Sequence, residues 1–326
     1  MKNPSERFTS ALKMEKPEPG EQVPIWELEF HGWDLFSSHR LIVGTEFSKL
    51  SSREKEKSLH RNAEIICTVS QDLSFSAITV PGGYWEIAPG HPAYFWLPGE
   101  ARIQQIEILK KHLGDRIMLV AGNPAVLAMP GAEEYMDFAY TLMEHPEEIE
   151  KRAKELYNKG IREADRLIDL GVGALYTPSD IADNHGPYFT PEQMEQLILP
   201  FLDQWASYVK SKGALSILHS DGNLESILEL IANTGIQAIQ AIDPTAGMDL
   251  KRTFEAFGGK LSLCGNIDCG LYTEGTPDQL FTATKEALAL KSHGGLILGA
   301  SNAIEKELKK ENYLAFLQAW KEFGVY

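Results

Sequence analysis

Eight short apolar runs, each broken by Gly, Pro, Asn or Asp and alternating with sequence of helical character, recur along this chain. They are VPIWELEFHG (23–32), SAITVPGG (76–83), IMLVAGN (117–123), GALYTPSD (173–180), LSILHSDGN (215–223), IQAIQAID (236–243), KLSLCGNID (260–268) and GGLILGASN (294–302). Runs of this length read as strands. The segments between them read as helices. In 146–171, for example, Leu156, Tyr157, Ile161, Ala164 and Ile168 recur at helical spacing and Gly171 supplies a stop. Eight strand–helix units predict an α/β fold of the (β/α)8 TIM-barrel type, as one domain over residues 1–326. PSERFTSALKMEKP near the start predicts a short outer helix, with Pro4 near its first turn. The stretch 83–99 is rich in Pro, Gly and aromatics and predicts a lid loop over the barrel mouth.

The bulk numbers exclude several roles. Lys plus Arg total 31 against 46 Asp plus Glu, a net charge of −15 without a basic stripe. Nucleic acid and membrane surfaces are therefore not expected partners. Three cysteines are too few for a secreted disulfide framework. The first residues contain no apolar signal core, and no apolar run approaches the ~18 residues of a spanning helix. A soluble cytoplasmic protein is the expectation.

A barrel carries its chemistry at the C-terminal ends of its strands. Those ends offer Glu27, Glu29, His31, Asp180, Asp183, His185, His219, Asp221, Asp243, Cys264, Asp268 and Asn302. His219 and Asp221, in LHSDGN, fall on the same side of a strand end by alternation. Three readings fit that pair: a metal site, an acid/base pair, or a hydrogen-bonded structural corner. Asp243 precedes Pro244 and also suits a turn. Asp180 and Asp183 precede an aromatic loop, where capping and loop hydrogen bonds account for them. A free cysteine such as Cys264 is most often inert and buried.

SDIADNHGPYFTPEQMEQLILPFL, LHSDGNLESILELIANTGIQAIQ, CGNID and ERFTSALKMEKPEPGEQVPIW resemble, in matching order, segments of the uroporphyrinogen decarboxylase superfamily. That superfamily contains decarboxylases and methyltransferases that serve corrinoid proteins. The decarboxylase branch ends its first strand in a pattern like MRQAGR, whose arginines grip the acidic arms of the substrate. Here that stretch is LEFHGW, with Glu29 and Trp33 at the arginine positions. The decarboxylase motif FSDI is FSAI here, with Ala77 at the aspartate, and Asn302 stands about where the last strand of that branch ends in a glycine–histidine pair.

The resemblance to the methyltransferase branch implies a zinc site. That branch binds Zn²⁺ through H-x-C on the fifth strand and a cysteine on the eighth. Here His219-Ser-Asp221 and Asn302 occupy those places, so the thiolates are replaced by oxygen groups. The implied ligand candidates are His219, Asp221, Asp243, Cys264, Asn302 and Glu29, of which zinc needs three or four. Glu29, His219 and Asp221 are the expected catalytic groups. Aromatic residues in or near loops and strand ends suit a flat apolar substrate. Trp26, Trp33, Trp85, Trp96, Tyr188 and the loop histidine His185 are the expected substrate contacts. An oxygen-rich site is a hard Lewis acid and suits an ether oxygen.

Together these readings point to transfer of a methyl group from a small donor, expected to be a methoxylated aromatic, to a corrinoid carried by a partner protein. The alternatives are a divergent decarboxylase and a non-catalytic binding barrel. Homodimer formation is left open.

Overall fold

The computed structural model describes residues 2–81, 86–88, 91–92, 97–257 and 259–326. Seven parallel strands form one curled sheet in chain order. They are β1 (Ala77–Thr79), β2 (Met118–Gly122), β3 (Ala174–Pro178), β4 (Leu215–His219), β5 (Ala238–Ala241), β6 (Ser262–Gly265) and β7 (Leu296–Ile297). Each pairs in parallel with the next, for example Pro178 with His219 and His219 with Gln240.

The eighth expected strand, 23–32, takes a different form. It is an extended segment that makes isolated parallel bridges, Ile25 to Leu298 and Phe30 to Ile304. Trp26 N donates to Leu298 O and Leu298 N to Pro24 O on one side, while Ser76 N donates to Ile25 O on the other. The segment therefore joins β7 to β1 and closes the barrel. Its ladder is broken because the Glu27 carboxylate takes the Ala300 N–H at 2.7 Å, where a strand would offer a backbone carbonyl.

The N-terminal helix, α1 (Pro4–Leu12), begins with an Asn3/Glu6 capping box. It is not an outer helix. Phe8 and Leu12 are buried with Trp26, Ala77, Val120, Ala174, Ile217, Ala238 and Cys264 in the barrel interior. Ser5 N bonds to Arg116 O, just before β2, so α1 packs on the N-terminal end of the barrel.

The helix expected at 146–171 spans Pro146–Asp169, called α2 here. Its buried stripe is Ile149, Ala153, Gly160, Ala164 and Leu167, and the larger Tyr157, Ile161 and Ile168 flank it half-buried. Small residues take the centre because the backbone approaches closely. A Cβ on Gly160 would lie 2.4 Å from Ala125 Cβ. Asn123, after β2, locks that approach by donating to Gly160 O and accepting from Trp205 Nε1. No helix among the described residues is long and apolar enough to cross a membrane.

Candidate metal centre

β3, β4 and β5 carry the candidate site at their C-terminal ends. His219 ends β4 and is 7% exposed. Asp180 lies just past β3 and Asp221 just past β4. His219 Nε2 lies 3.8 Å from Asp180 Oδ1 and 4.0 Å from Asp221 Oδ1. One ligand-type atom from each of the three residues falls within 4.8 Å of the others.

The turn after β4 depends on LHSDGN. Gly222 has φ +86°, and a Cβ there would sit 2.5 Å from the backbone oxygen of Ala182. Only glycine lets this turn pack against the short hairpin at 182–187. Asp180 Oδ1 accepts from Asp221 N at 2.9 Å, and Ser220 Oγ accepts from Ile181 N. The ends of β3 and β4 are thus tied by side chain to backbone.

Asp221 is held from across the mouth. Asn302 Nδ2 donates to Asp221 Oδ2 at 2.5 Å, and Asn302 Oδ1 accepts from Ala303 N. Asp221 Oδ1 is buried without a hydrogen-bond partner. Burial raises the Asp221 carboxyl to about 6 against the pull of His219, and Asp180 and Asp243 add to the rise. On the other side of His219, Nδ1 lies 2.5 Å from Gln240 Oε1 on β5.

These residues fit a divalent cation. A buried carboxylate oxygen without a partner is costly, and a cation beside it removes that cost. In a tetrahedral zinc site with bonds of ~2.1 Å, ligand atoms sit roughly 3.4 Å apart. The 3.8 and 4.0 Å separations need to close by only about half an ångström to reach that spacing.

The six implied ligands are distributed as follows. His219 and Asp221 meet, and Asn302 touches Asp221. Asp243 is 8% exposed, and its Oδ1 caps the following turn by accepting from Thr245 N and Oγ1. Cys264 corrects the expectation of a mouth ligand. It is fully buried in the barrel interior among apolar side chains, and burial raises its thiol well above the usual range. Glu29 lies outside the triad and faces His31, with Oε2 3.5 Å from Nε2.

The expected substrate aromatics also separate. Trp26 is a core residue, 1% exposed, packed on Phe8 and Tyr176 and donating to Thr79 Oγ1. Trp33 stands edge-on to Phe30 and Phe75. It lines a crevice with Glu29, His31 and Thr79. Tyr188 follows the hairpin at 182–187 and packs against Tyr135, Phe138 and Phe189. His185 is exposed on that hairpin, where its backbone N–H donates to Asp183 Oδ1. Trp85, Trp96 and the aromatic core of the expected lid lie outside the described residues.

Two residues of the candidate site escaped the sequence-based assignment. Asp180 was visible as a strand-end carboxylate, but its loop context suggested a cap. Gln240 sits in the apolar run IQAIQAID, and an amide buried in such a strand was the available signal.

The fold has clear relatives among solved structures. A methyltransferase from Methanosarcina mazei aligns with TM-score 0.74 at 18% identity, over 99% of this chain and 99% of that one. A B12-independent methionine synthase from a Shewanella species, solved with selenomethionine, aligns with TM-score 0.59 at 12% identity, over 93% and 97%. A putative vitamin-B12-independent methionine synthase from Listeria monocytogenes aligns with TM-score 0.50 at 13% identity, over 94% and 96%. At these identities the likeness establishes the fold. No curated protein sequence matches the chain. The family model for uroporphyrinogen decarboxylase (URO-D), however, matches residues 100–323, more than half of the sequence, and so the chain belongs to the uroporphyrinogen decarboxylase family.

Proposed function

We propose that this chain is a corrinoid-protein-dependent methyltransferase with a resident zinc ion held by Asp180, His219 and Asp221. In this reading it takes a methyl group from a methoxylated aromatic donor. The observation that carries the reading is the pairing of His219 Nε2 with two carboxylates at the barrel mouth, one of them bearing a buried oxygen without a hydrogen-bond partner. The absence of the decarboxylase branch's charges supports it, because Glu29 and Trp33 replace groups that would hold a polyanion. A methyltransferase among the related folds is consistent with it.

When bound, zinc supplies Lewis acidity that polarises an ether oxygen and stabilises developing phenolate charge. The chain's own residues do the rest. Asp180 and Asp221 provide the negative charge that retains the ion. Asn302 turns Asp221 so that one carboxylate oxygen faces inward. Trp33, Phe30 and Phe75 are buried edge-on to one another and give Glu29 an apolar backing. The methyl carbon passes in one displacement to the partner's reduced corrinoid. The C–O electron pair stays on oxygen, and the phenolate takes its proton from solvent. The proposed compartment is the cytoplasm.

The test is methyl transfer to reduced corrinoid protein, followed by the colour change from Co(I) to methyl-Co(III). Guaiacol-type phenols, methylamines and methylthiols are run side by side with uroporphyrinogen. Activity with methoxyarenes is expected. Reaction of amines or thiols without methoxyarenes overturns the donor. Formation of coproporphyrinogen at an enzymatic rate overturns the methyltransferase reading.

A further inference from the structure

Gln240 lies on β5 and is 1% exposed. A buried amide must satisfy both of its ends. Its Nε2 donates to the carbonyls of Ala300 at 3.2 Å and Ser301 at 3.1 Å. Those oxygens only accept, so the nitrogen end of the amide is fixed toward them. The flipped amide would set its own oxygen against two carbonyl oxygens. Oε1 therefore faces His219, 2.5 Å from Nδ1. An amide oxygen has no hydrogen to give, so the hydrogen in this contact belongs to Nδ1. A neutral imidazole carries only one, and Nε2 is left with its lone pair. Nε2 is the atom that faces Asp180 and Asp221.

From this geometry we infer that Gln240 is a positioning residue that fixes His219 in the Nδ1–H tautomer and, through the same amide, ties down the 300–301 turn that presents Asn302 to Asp221. One side chain thereby orients both a nitrogen and a carboxylate of the triad. Asn302 directly follows the clamped carbonyls, and its Nδ2 reaches Asp221 Oδ2. The consequence for metal affinity rests on the zinc reading above. The tautomer does not.

The experiment uses the full chain, ¹⁵N-labelled at histidine and stripped of metal, with imidazole nitrogens observed by long-range ¹H–¹⁵N correlation at pH 8. The chain has nine histidines, and the His219 signals are assigned by their loss in His219→Asn. In the wild type Nδ1 is expected to be protonated and Nε2 bare. Gln240→Leu is expected to move the population toward Nε2–H. Gln240→Glu restores Nδ1–H as the neutral acid, whose O–H takes over the donation to the 300–301 carbonyls while its C=O accepts from Nδ1. Zinc affinity, read by competition with a chromophoric chelator, is expected to fall about 10- to 100-fold in Gln240→Leu and less in Gln240→Glu. A wild-type His219 found as Nε2–H overturns the inference, as does a folded Leu variant with an unchanged tautomer. If the Leu variant does not fold, the wild-type and Glu spectra decide. If the tautomers behave as expected and the wild type binds no zinc, the metal reading fails and the positioning role stands.

Discussion

Asn302 and Asp221 are 81 residues apart in sequence and share a 2.5 Å hydrogen bond across the barrel mouth. The bond occupies one carboxylate oxygen and leaves the other buried without a hydrogen-bond partner. If its use is to orient Asp221 toward a cation, Asn302→Leu is expected to lower zinc affinity about tenfold or more. Isothermal titration with zinc checks this. An unchanged affinity would make Asn302 a turn residue only.

The triad itself is tested by metal content. Protein purified without chelator is expected to hold about one zinc ion, on the basis of one cluster of three ligands among the described residues. His219→Ala and Asp180→Ala are both expected to lose most of it. Elemental analysis of the three proteins, with thermal melts to verify folding, gives the answer. Full zinc retention in Asp180→Ala would remove Asp180 from the ligand set.

Gly222→Ala tests the turn that carries Asp221. The added Cβ meets the Ala182 backbone oxygen at 2.5 Å at a φ of +86°. Strain of this kind costs on the order of 1–3 kcal/mol. A lower Tm and weaker zinc binding are expected together. A variant with wild-type Tm and zinc affinity would show that the hairpin at 182–187 yields freely.

Glu27 makes stability depend on pH. Burial raises its carboxyl to about 7, although Ala300 N–H and Tyr313 O–H both donate to it and pull the other way. An unfolded chain ionises it near ~4.3. A carboxyl raised on folding contributes stability that is fully present below the unfolded value and is lost as pH rises through about 7. Glu27→Gln removes the charge, its amide oxygen keeping the Ala300 N–H and its NH2 donating to the Tyr313 hydroxyl instead. Relative to wild type, the variant is expected to gain about 2–3 kcal/mol between pH 5 and pH 8. Urea unfolding of both proteins at the two values measures it. A constant difference would mean that Glu27 titrates normally in the fold.

The barrel was legible because its strands are apolar runs bounded by turn residues, and seven of the eight appear as named strands in the expected places. The first run differs for a reason that residue types do not announce. The Glu27 side chain, rather than its backbone, meets Ala300. The site was partly legible. His219 and Asp221 stood out by alternation at a strand end, and Asn302 by its place on the last run. Asp180 did not, since a carboxylate in a loop caps turns more often than it gathers with others. Cys264 and Trp26 misled for one reason. Alternation along a strand does not tell the mouth of a barrel from its filled interior, and both side chains fall inside.

The extended segment that closes the barrel has a consequence for how the chain matures. Glu27 and Ala300 are 273 residues apart, and their contact joins the first stave of the barrel to the last. On a ribosome the first stave emerges early and can pair toward β1, but its other edge waits for β7. Phe8 and Trp26 pack first on Tyr176 and its neighbours and gain Ile297, on β7, only then. Loop closure over such a span comes late. Until it does, the nascent barrel carries an open seam whose backbone groups lack their partners, and such an edge is prone to pair with other chains.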